Sequence, residues 1–267
     1  MKVWVVGPIA WDSVLYVGSI PSTGSFTHAK SHLERPGGQA LNVAVALERS
    51  GIESGLIGYV GNDSYGEDLK TFAAKELKHI QIKTISEPTP HVVILVTDDG
   101  ERTIVGMEKS HFGTISIDHT QIESEDTVVW PIWRESFKKD FDLVKAKGCR
   151  TIVGLGALKD EISADIAIGS AWELPTDFKK AAYLARFPRI IVTDNKYGSQ
   201  EYNSQNDIKQ EALLSEAVDT TGAGDAFLCG IVKAALNNLD GIDSLKLAAT
   251  WSAQAIKTKE SIPPTLN

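Results

Sequence analysis

The chain has little cysteine and no long hydrophobic run. Its 267 residues include only two cysteines, Cys149 and Cys229, and both stand beside apolar sequence. We therefore expect buried, reduced thiols rather than a framework of disulfides. No apolar segment approaches the roughly 18 residues that a membrane helix needs, and Asp12 interrupts the one short apolar run that resembles a signal peptide. These absences predict a cytoplasmic protein with no membrane partner.

Runs of basic residues are also missing. Lys and Arg total 27, against 35 Asp and Glu, for a net charge of −8, and they cluster only in pairs such as Lys138-Lys139. A nucleic-acid partner requires a positively charged surface that neutralises phosphates. We therefore expect no nucleic-acid partner.

Common ligand signatures are absent as well. No G-x-G-x-x-G follows the first predicted strand and no G-x-x-x-x-G-K-[ST] occurs, so neither the dinucleotide fingerprint nor the P-loop is available. His91, His111 and His119 show no metal-ligand spacing with one another or with cysteine, so they predict no zinc site. Any nucleotide must be bound by a different kind of loop.

What the chain does contain is an alternation of strands and helices. Hydrophobic residues make up 42% of it, enough to fill a core at this length. Short apolar runs such as Val3–Val6 alternate with helix-length segments, which predict helices at 38–49, 66–77, 135–147 and 177–186 and after Asp225 and Ser244. Repeated βα units of this kind predict a doubly wound α/β fold with a mostly parallel sheet.

Two polar, loosely alternating stretches interrupt this pattern. They cover about 13–35 and 90–107, and the second contains the hairpin signal Asp98-Asp99-Gly100. Together they predict a small sheet that stands off the main body. No repeat, low-complexity segment or linker divides the chain, so residues 1–267 are expected to form a single domain.

The segment DTTGAGDAF, at 219–227, is the first candidate for chemistry. Gly222, Ala223 and Gly224 precede an apolar helix, and their free N–H groups together with the helix dipole would form an anion site. Asp225 falls in the first turn, where its carboxylate could take a proton from a hydroxyl that attacks a bound phosphoryl group. Taken alone, the same pattern is equally typical of an ordinary helix start.

The wider sequence favours the catalytic reading. DTTGAGDAF, together with RPGGQALNVAVALERSG at 35–51, resembles the two signature segments of the ribokinase-like (PfkB) carbohydrate kinase family. IPSTG, VGNDSYGEDL, GERTI, ADIAIGSAWEL and IIVTDNKYGS follow in the order typical of that family, so the resemblance covers essentially the whole chain. It implies a three-layer α/β/α fold with a small β-sheet lid.

The resemblance also implies a reaction, the ATP-dependent phosphorylation of a hydroxyl of a small sugar or sugar derivative. Asp225 would be the general base, with Gly222, Ala223 and Gly224 as the anion hole. Two alternatives stay open: a kinase of nucleosides such as adenosine, and a non-catalytic relative that binds sugar or nucleotide. Lid sheets often pair between subunits in such relatives, which makes a homodimer through the lid a further expectation.

Four residues are expected at the acceptor site. The resemblance assigns Asp12, Gly38 and Asn42 to acceptor hydroxyls, and Arg102 in the lid turn is a candidate for a polar or phosphorylated acceptor. The residue types agree with these roles. A carboxylate after the first strand lies at the ligand-binding edge of an α/β sheet, Gly38 can adopt unusual dihedrals beside a ligand, and Asn42 interrupts an apolar helix.

The nucleotide and its metal would lie at the next strand ends. The resemblance assigns Glu173 to Mg²⁺, with Ser170 acting through water in place of the usual Asn. It assigns the nucleotide loop to Thr193, Asn195, Gly198 and Thr221, with Asn195 in place of a Gly; Asn tolerates positive φ, so the turn is expected to survive.

The C-terminal segment departs most from the family. Relatives usually carry a Gly-Ala pair before the final Pro, in a loop at the adenine pocket and, in some, at a monovalent-cation site, whereas this chain ends QAIKTKESIPPTLN. Asp219 and Thr221 match positions that help to bind that cation, so its requirement stays open. Trp130 and Trp133, which close a predicted strand, either pack in the core or stack on a substrate ring.

Overall fold

A nine-stranded sheet forms the centre of the molecule. The computed structural model describes residues 1–107, 115–213 and 217–266, so His111 lies outside the described residues. The strand order is β13-β12-β11-β10-β9-β8-β1-β4-β5, and every neighbouring pair from β11 to β5 is parallel, whereas β12 and β13 are antiparallel. The strands are β1 (Val3–Val6), β4 (Ser54–Gly61), β5 (His79–Ile85), β8 (Thr127–Trp130), β9 (Arg150–Gly154), β10 (Ile166–Ser170), β11 (Arg189–Thr193), β12 (Ser199–Tyr202) and β13 (Asp207–Gln210).

Helices cover both faces of this sheet and produce the three predicted layers. One face packs against α1 (Gln39–Arg49), α2 (Ser64–Glu76), α4 (Ala223–Leu236) and α5 (Gly241–Ala255). The other face packs against α3 (Lys138–Ala146) and several short 3₁₀ turns, around a core that contains Trp4, Tyr59 and Phe141. The α/β prediction is therefore confirmed, and apolar burial on both faces accounts for the continuous β-branched runs of the central strands.

A second, four-stranded sheet stands apart from the first. It contains β2 (Ala10–Tyr16), β3 (Ser31–Gly37), β6 (His91–Val96) and β7 (Arg102–Gly106), in the order β3-β2-β6-β7, and we refer to these four strands as the lid sheet. The β6–β7 pair turns where Asp98-Asp99-Gly100 predicted a hairpin, with Gly100 at φ 80°. Val14, Ile94 and Val96 form a small core of its own.

One predicted helix is wrong. Residues 177–186 form only a short 3₁₀ turn, Lys180–Ala182. Phe178 stacks on Tyr183 with ring centroids 5.5 Å apart, and the Arg186 guanidinium donates to carbonyl groups at 158–162. These contacts turn the aromatic and basic side chains in different directions, so the segment has no single apolar stripe that could hold a helix on the sheet.

The tryptophan pair and the cysteines belong to the core. Trp130 and Trp133 are 0% and 3% exposed and their rings meet edge to face at 6.3 Å, so the structure rules out stacking on a substrate and leaves the packing alternative. Cys149 and Cys229 are buried free thiols, as predicted. Within the described ranges, no helix combines the length and the apolar character that crossing a bilayer requires.

Candidate active site

Asp12 lies inside the lid sheet rather than at the end of β1. The turn at Gly7-Pro8 leads the chain from β1 into β2, and Asp12 is the third residue of that strand. Its side chain points to the inner face, where it is opposite Arg35 on β3, and its Oδ2 is 3.8 Å from Arg35 Nε. A Cβ on Gly37 would lie 2.3 Å from the Asp12 carboxylate, so glycine is required there for the carboxylate to rest on the backbone.

Burial dominates the electrostatics of Asp12. The residue is 4% exposed, and desolvation raises the pKa of its carboxyl to about 7; Arg35 opposes this increase, while Asp225 and Glu34 add to it. A carboxyl with this pKa exchanges its proton near neutral pH, so it can either donate to or accept from a ligand hydroxyl.

The second glycine of RPGG starts helix α1. Gly38 has φ 92°, and a Cβ there would lie 2.6 Å from the carbonyl oxygen of Pro8, so the turn requires glycine both for its dihedral and for its space. Because α1 begins at this turn, Gln39 and Asn42 lie one helical turn apart on the same face. That face is directed at Asp225.

Asp225 is the centre of the site. It is 6% exposed in the first turn of α4, and Asn42 Nδ2 donates to its Oδ2 at 2.8 Å. Burial raises the pKa of Asp225 to about 6, against the hydrogen bonds from Asn42 and Gln39 and the positive charge of Arg102, which lower it. The result is a carboxylate that is ionised at neutral pH yet retains an affinity for a proton, which a general base needs.

The loop before Asp225 is an open glycine turn at the start of α4. Gly222 is the N-cap of α4 in the left-handed region, with φ 82°, and a Cβ there would lie 2.6 Å from the Ser261 carbonyl oxygen. Gly224 is exposed and has open space around it. The Ala223 N–H donates to Thr220 O at 3.3 Å, so the donors of the first turn that remain for a ligand precede the first helical bond, from Ala226 N to Gly222 O.

Buried polar groups support this loop from behind. Asp219 is 0% exposed, its Oδ1 accepts from the backbone N–H of Thr221 at 2.8 Å, and its Oδ2 accepts from the Tyr16 hydroxyl at 3.4 Å. The Thr221 hydroxyl is buried without a hydrogen-bond partner in the described part of the chain. From the lid sheet, Arg102 Nη1 donates to the Thr220 hydroxyl at 2.8 Å.

Three of the four predicted nucleotide residues, Thr193, Asn195 and Gly198, lie together at one sheet edge, whereas Thr221 lies in the loop before α4. Thr193 closes β11 beside Ser170, which closes β10, and the Thr193 hydroxyl donates to Gly169 O at 3.3 Å. Asn195 has φ 45° and Gly198 has φ 92°, so the turn that follows β11 does adopt the positive φ that Asn tolerates. Adjacent carboxyl ends of parallel strands are where ligands bind in α/β sheets.

Glu173 and Ser170 bind each other. Ser170 is the N-cap of a 3₁₀ turn, its N–H donates to Glu173 Oε1 at 2.8 Å, and its hydroxyl accepts from the Glu173 backbone in a capping box. No group of three or more His, Cys, Asp or Glu side chains suited to a metal ion occurs within residues 1–107, 115–213 and 217–266. Any metal here would depend on few protein ligands.

Three contributors to the site were missed by sequence reasoning. Gln39 lies three residues before Asn42, a helical spacing that could have found it. Tyr16 lies four residues after Asp12 on β2, and Arg35 is opposite Asp12 on β3, so all three share one face of the lid sheet. Strand periodicity could have placed Tyr16 beside Asp12. The pairing of Arg35 with Asp219 carries no local signal, because the two residues lie in distant parts of the chain.

Solved structures share this fold. Arabidopsis thaliana ribokinase complexed with ribose and ATP matches at a TM-score of 0.75 and 21% identity, over 99% of this chain and 96% of that one. Burkholderia thailandensis nucleoside kinase complexed with inosine matches at 0.81 and 18%, over 99% and 95%. Escherichia coli phosphofructokinase-2 in complex with potassium matches at 0.79 and 17%, again over 99% and 95%.

Sequence relatives span nearly the full length. A ribokinase of Lactococcus lactis is 27% identical over 274 residues, which cover 96% of this chain and 91% of that protein. An ATP-dependent ribose-1-phosphate kinase of Halopiger xanaduensis is 26% identical, with 95% and 91% covered. The family described as pfkB family carbohydrate kinase matches residues 1–127 and 173–266. With the glycine loop, its buried Asp and the lid sheet in place, this chain belongs to the pfkB family of carbohydrate kinases.

Proposed function

We propose that the protein transfers the γ-phosphoryl group of ATP to a hydroxyl of a small sugar or sugar derivative, with Asp225 as general base. One observation carries this assignment. Asp225 is a buried carboxylate with its pKa raised to about 6, and it stands directly after the open glycine turn at the start of α4. A binding site alone would gain nothing from a buried, ionised carboxylate beside an anion site, whereas proton abstraction requires one.

The transfer uses these groups in sequence. The acceptor hydroxyl gives its proton to Asp225 as its oxygen forms a bond to the γ-phosphorus, and the bond from that phosphorus to the bridging oxygen of ADP breaks in line. Asn42 donates to Oδ2 of Asp225 and fixes the orientation of the carboxylate. The N–H groups of Gly222, Ala223 and Gly224 would face the charge on the transferred group, and those not engaged by Thr220 contribute most.

The acceptor would lie between the lid sheet and α1. Asn42 Oδ1 is buried without a partner among the described residues, so it is free to accept from a sugar hydroxyl. Asp12, with its pKa near 7, can hold a second hydroxyl, and Gly38 permits the close approach of a sugar ring. Arg102 reaches the same space from β7, where it lowers the pKa of Asp225.

The nucleotide would lie along the ends of β10 and β11. Thr193, Asn195 and Gly198 shape the turn that would approach the nucleotide, and the unpartnered Thr221 hydroxyl is available to a phosphate oxygen. Trp172 and Tyr197 follow the same two strands and are 82% and 63% exposed. Exposed aromatic rings at a ligand-binding edge are suited to stacking on a purine base.

A magnesium ion with the nucleotide is compatible with this edge. Mg²⁺ is typically held by one or two carboxylates plus substrate phosphates and water. Glu173 would supply one such carboxylate, because only its Oε1 is engaged by Ser170 in the described chain, and Ser170 would act through water. When bound, the ion would neutralise charge on the phosphates.

A monovalent cation at Asp219 does not fit the residues present. The potassium of the phosphofructokinase-2 structure and the match of Asp219 and Thr221 to cation positions raise the question. Here Arg35 Nη2 is 4.0 Å from Asp219 Oδ2, and the carbonyl oxygen of Lys259 accepts from Arg35 Nη1. The oxygen atoms that a cation would need therefore already face a guanidinium.

A homodimer through the lid sheet is part of the proposal. Strand β7 lies at the edge of that sheet and all five of its residues are exposed, including Ile104 and Val105 at 52% each. An exposed apolar edge strand is a template for pairing with a second chain.

The test is a phosphorylation panel with a base variant. Purified protein is assayed with ATP and Mg²⁺ against pentoses, hexoses, phosphorylated sugars and nucleosides, with product detected by mass spectrometry. We expect a sugar to be phosphorylated, with kcat/KM rising with pH to a plateau above about 6, the pKa of Asp225. Asp225→Asn should lower kcat by about 10²–10⁴-fold while sugar still raises the melting temperature.

Each other outcome changes the assignment. Turnover of nucleosides but not sugars would replace the acceptor by the nucleoside alternative. Ligand-induced stabilisation without any turnover would support the non-catalytic relative, and undiminished turnover in Asp225→Asn would remove this residue from the role of base. Asp243→Asn is the matched control, because Asp243 is also the third residue of its helix, α5, yet is exposed.

A further inference from the structure

Arg35 is a buried arginine that joins three parts of the molecule. Its side chain is 8% exposed, on the lid strand β3. The guanidinium faces Asp12 of the lid sheet at 3.8 Å, Asp219 of the loop before α4 at 4.0 Å, and the Lys259 carbonyl of the C-terminal segment, to which Nη1 donates. A buried guanidinium is stable only when carboxylates and carbonyls compensate its charge.

Asp219 transmits this contact to the anion site. Its other carboxylate oxygen accepts from the Thr221 N–H, one residue before Gly222, and so fixes the backbone that enters the glycine turn. Asp219 is fully buried, and in the described residues Arg35 is the only side chain that forms an ion pair with it. Its hydrogen bonds come from the Thr221 N–H and the Tyr16 hydroxyl, and the Arg35 guanidinium supplies the facing positive charge.

The C-terminal segment closes the same cluster. Ser261 Oγ donates to Pro36 O at 3.0 Å, and the Ser261 carbonyl lies against Gly222. Lys259 places its ammonium 4.6 Å from the centre of the Tyr16 ring, whose hydroxyl donates to Asp219. The C-terminal segment thus contacts both the glycine turn and Tyr16, the hydroxyl partner of Asp219.

We propose that Arg35 is a positioning residue that acts as a built-in cation: its guanidinium holds Asp219, and through it the glycine turn at Gly222, without a bound monovalent metal ion. The proposal rests on the kinase function proposed above. It follows from the geometry: the guanidinium lies within ion-pair distance of both Asp12 and Asp219 and donates to the Lys259 carbonyl. A potassium ion added beside Asp219 would be repelled by that neighbouring guanidinium.

The first test compares salts with the unmodified protein. Phosphorylation of the best acceptor is measured in potassium chloride and in tetramethylammonium chloride at equal ionic strength. A bound effector typically changes the affinity of a second site by about 5- to 150-fold. Without a potassium site we expect kcat to differ by less than about fivefold between the two salts. A saturable increase of that size or more in potassium would overturn the proposal.

The second test needs no activity, so it separates this proposal from the proposed function. The melting temperature is recorded as potassium chloride replaces tetramethylammonium chloride. Occupation of a specific site would raise it by roughly 3 °C or more in a saturable way, and we expect no such increase. Absence of phosphorylation in both salts would count against the kinase, whereas saturable stabilisation by potassium would count against the built-in cation.

Variants of Arg35 test the positioning role. Arg35→Met keeps the apolar stem and removes the charge; we expect kcat in tetramethylammonium to fall by roughly 100-fold, because a displaced turn misaligns the phosphoryl group. Potassium should restore part of that loss, and Arg35→Lys should retain more activity than Arg35→Met. Arg49→Met removes a surface arginine paired with Glu76. It should neither lower kcat nor create a response to potassium. An Arg35→Met protein with full activity and no potassium response would overturn the role, and if it fails to fold, the salt comparisons decide.

Discussion

The burial of Asp225 lowers the folding stability of the protein at neutral pH. Burial disfavours its ionised form, and the pKa is raised from the model-peptide value of 3.8 to about 6 even though Asn42 and Gln39 donate to it. In the folded state the proton is therefore held more tightly than in the unfolded chain. Folding stability from this group is fully present below about pH 3.8 and is lost as the pH rises through about 6.

Asp225→Asn should accordingly stabilise the protein at alkaline pH. Each pKa unit corresponds to about 1.4 kcal/mol, so we expect a gain of about 2–3 kcal/mol in the free energy of unfolding at pH 8, and a much smaller one at pH 4. Denaturant unfolding at the two pH values measures both. The exposed Asp243→Asn should change little, and an Asp225→Asn protein less stable than the parent at pH 8 would contradict the burial argument.

At the scale of elements, the glycine turn before α4 is fixed by its neighbours as well as by its dihedrals. Gly222 has φ 82° and its missing Cβ would lie 2.6 Å from the Ser261 carbonyl, whereas Gly148 has φ 89° with nothing within 4 Å. The two positions therefore share a left-handed backbone conformation but differ in the space that a Cβ would have. That difference makes them a matched pair for substitution by alanine.

Gly222→Ala should damage both stability and catalysis, whereas Gly148→Ala should affect stability alone. Each alanine incurs the cost of a left-handed conformation, about 1–2 kcal/mol, and Gly222→Ala adds the displacement of the C-terminal segment or of the anion site. We expect kcat of Gly222→Ala to fall by at least about tenfold and that of Gly148→Ala to stay unchanged. Equal kcat values would show that the turn tolerates the displacement.

The hydrophobic pattern of the sequence predicts the elements that are buried on both faces, but not the edge strands of the large sheet. The central strands have continuous apolar runs, and α1 and α4 have buried helical patterns, so they were predicted. Strands β5 and β13 are the two edges of the large sheet, where solvent replaces one neighbour and polar residues are accepted. Their composition therefore resembles that of loops.

Some residues of the candidate site could also be predicted from the sequence, and others could not. Asp225, Asn42 and the glycine turn lie within motifs whose residue types state their chemistry, and the structure brings Asn42 and Asp225 into contact. Arg35 could not be placed, because its partners are assembled only when the lid sheet, the loop before α4 and the C-terminal segment meet. Local pattern cannot encode a contact among three distant segments.

At the scale of the whole molecule, the lid sheet offers an apolar edge to a second chain. We expect a homodimer by light scattering, and Val105→Asp on β7 should shift the mass toward the monomer, because a buried unpaired charge at an interface is costly. Leu143→Asp is the control, since Leu143 is 46% exposed on α3 rather than in the lid sheet. Identical masses for the parent and Val105→Asp would place any dimer contact elsewhere.

Arg35 and Arg102 connect the lid sheet to the loop before α4, and this connection bears on the access of water to the site. Arg35 reaches Asp219, and Arg102 reaches Thr220, so both bridges join the lid sheet to the loop that carries the glycine turn. If the lid sheet swings away, the acceptor pocket opens and the same movement releases the turn from its cation. An open enzyme would then lack an ordered phosphoryl site while solvent is present, so the two contacts that complete the closed state would also restrain futile hydrolysis of ATP.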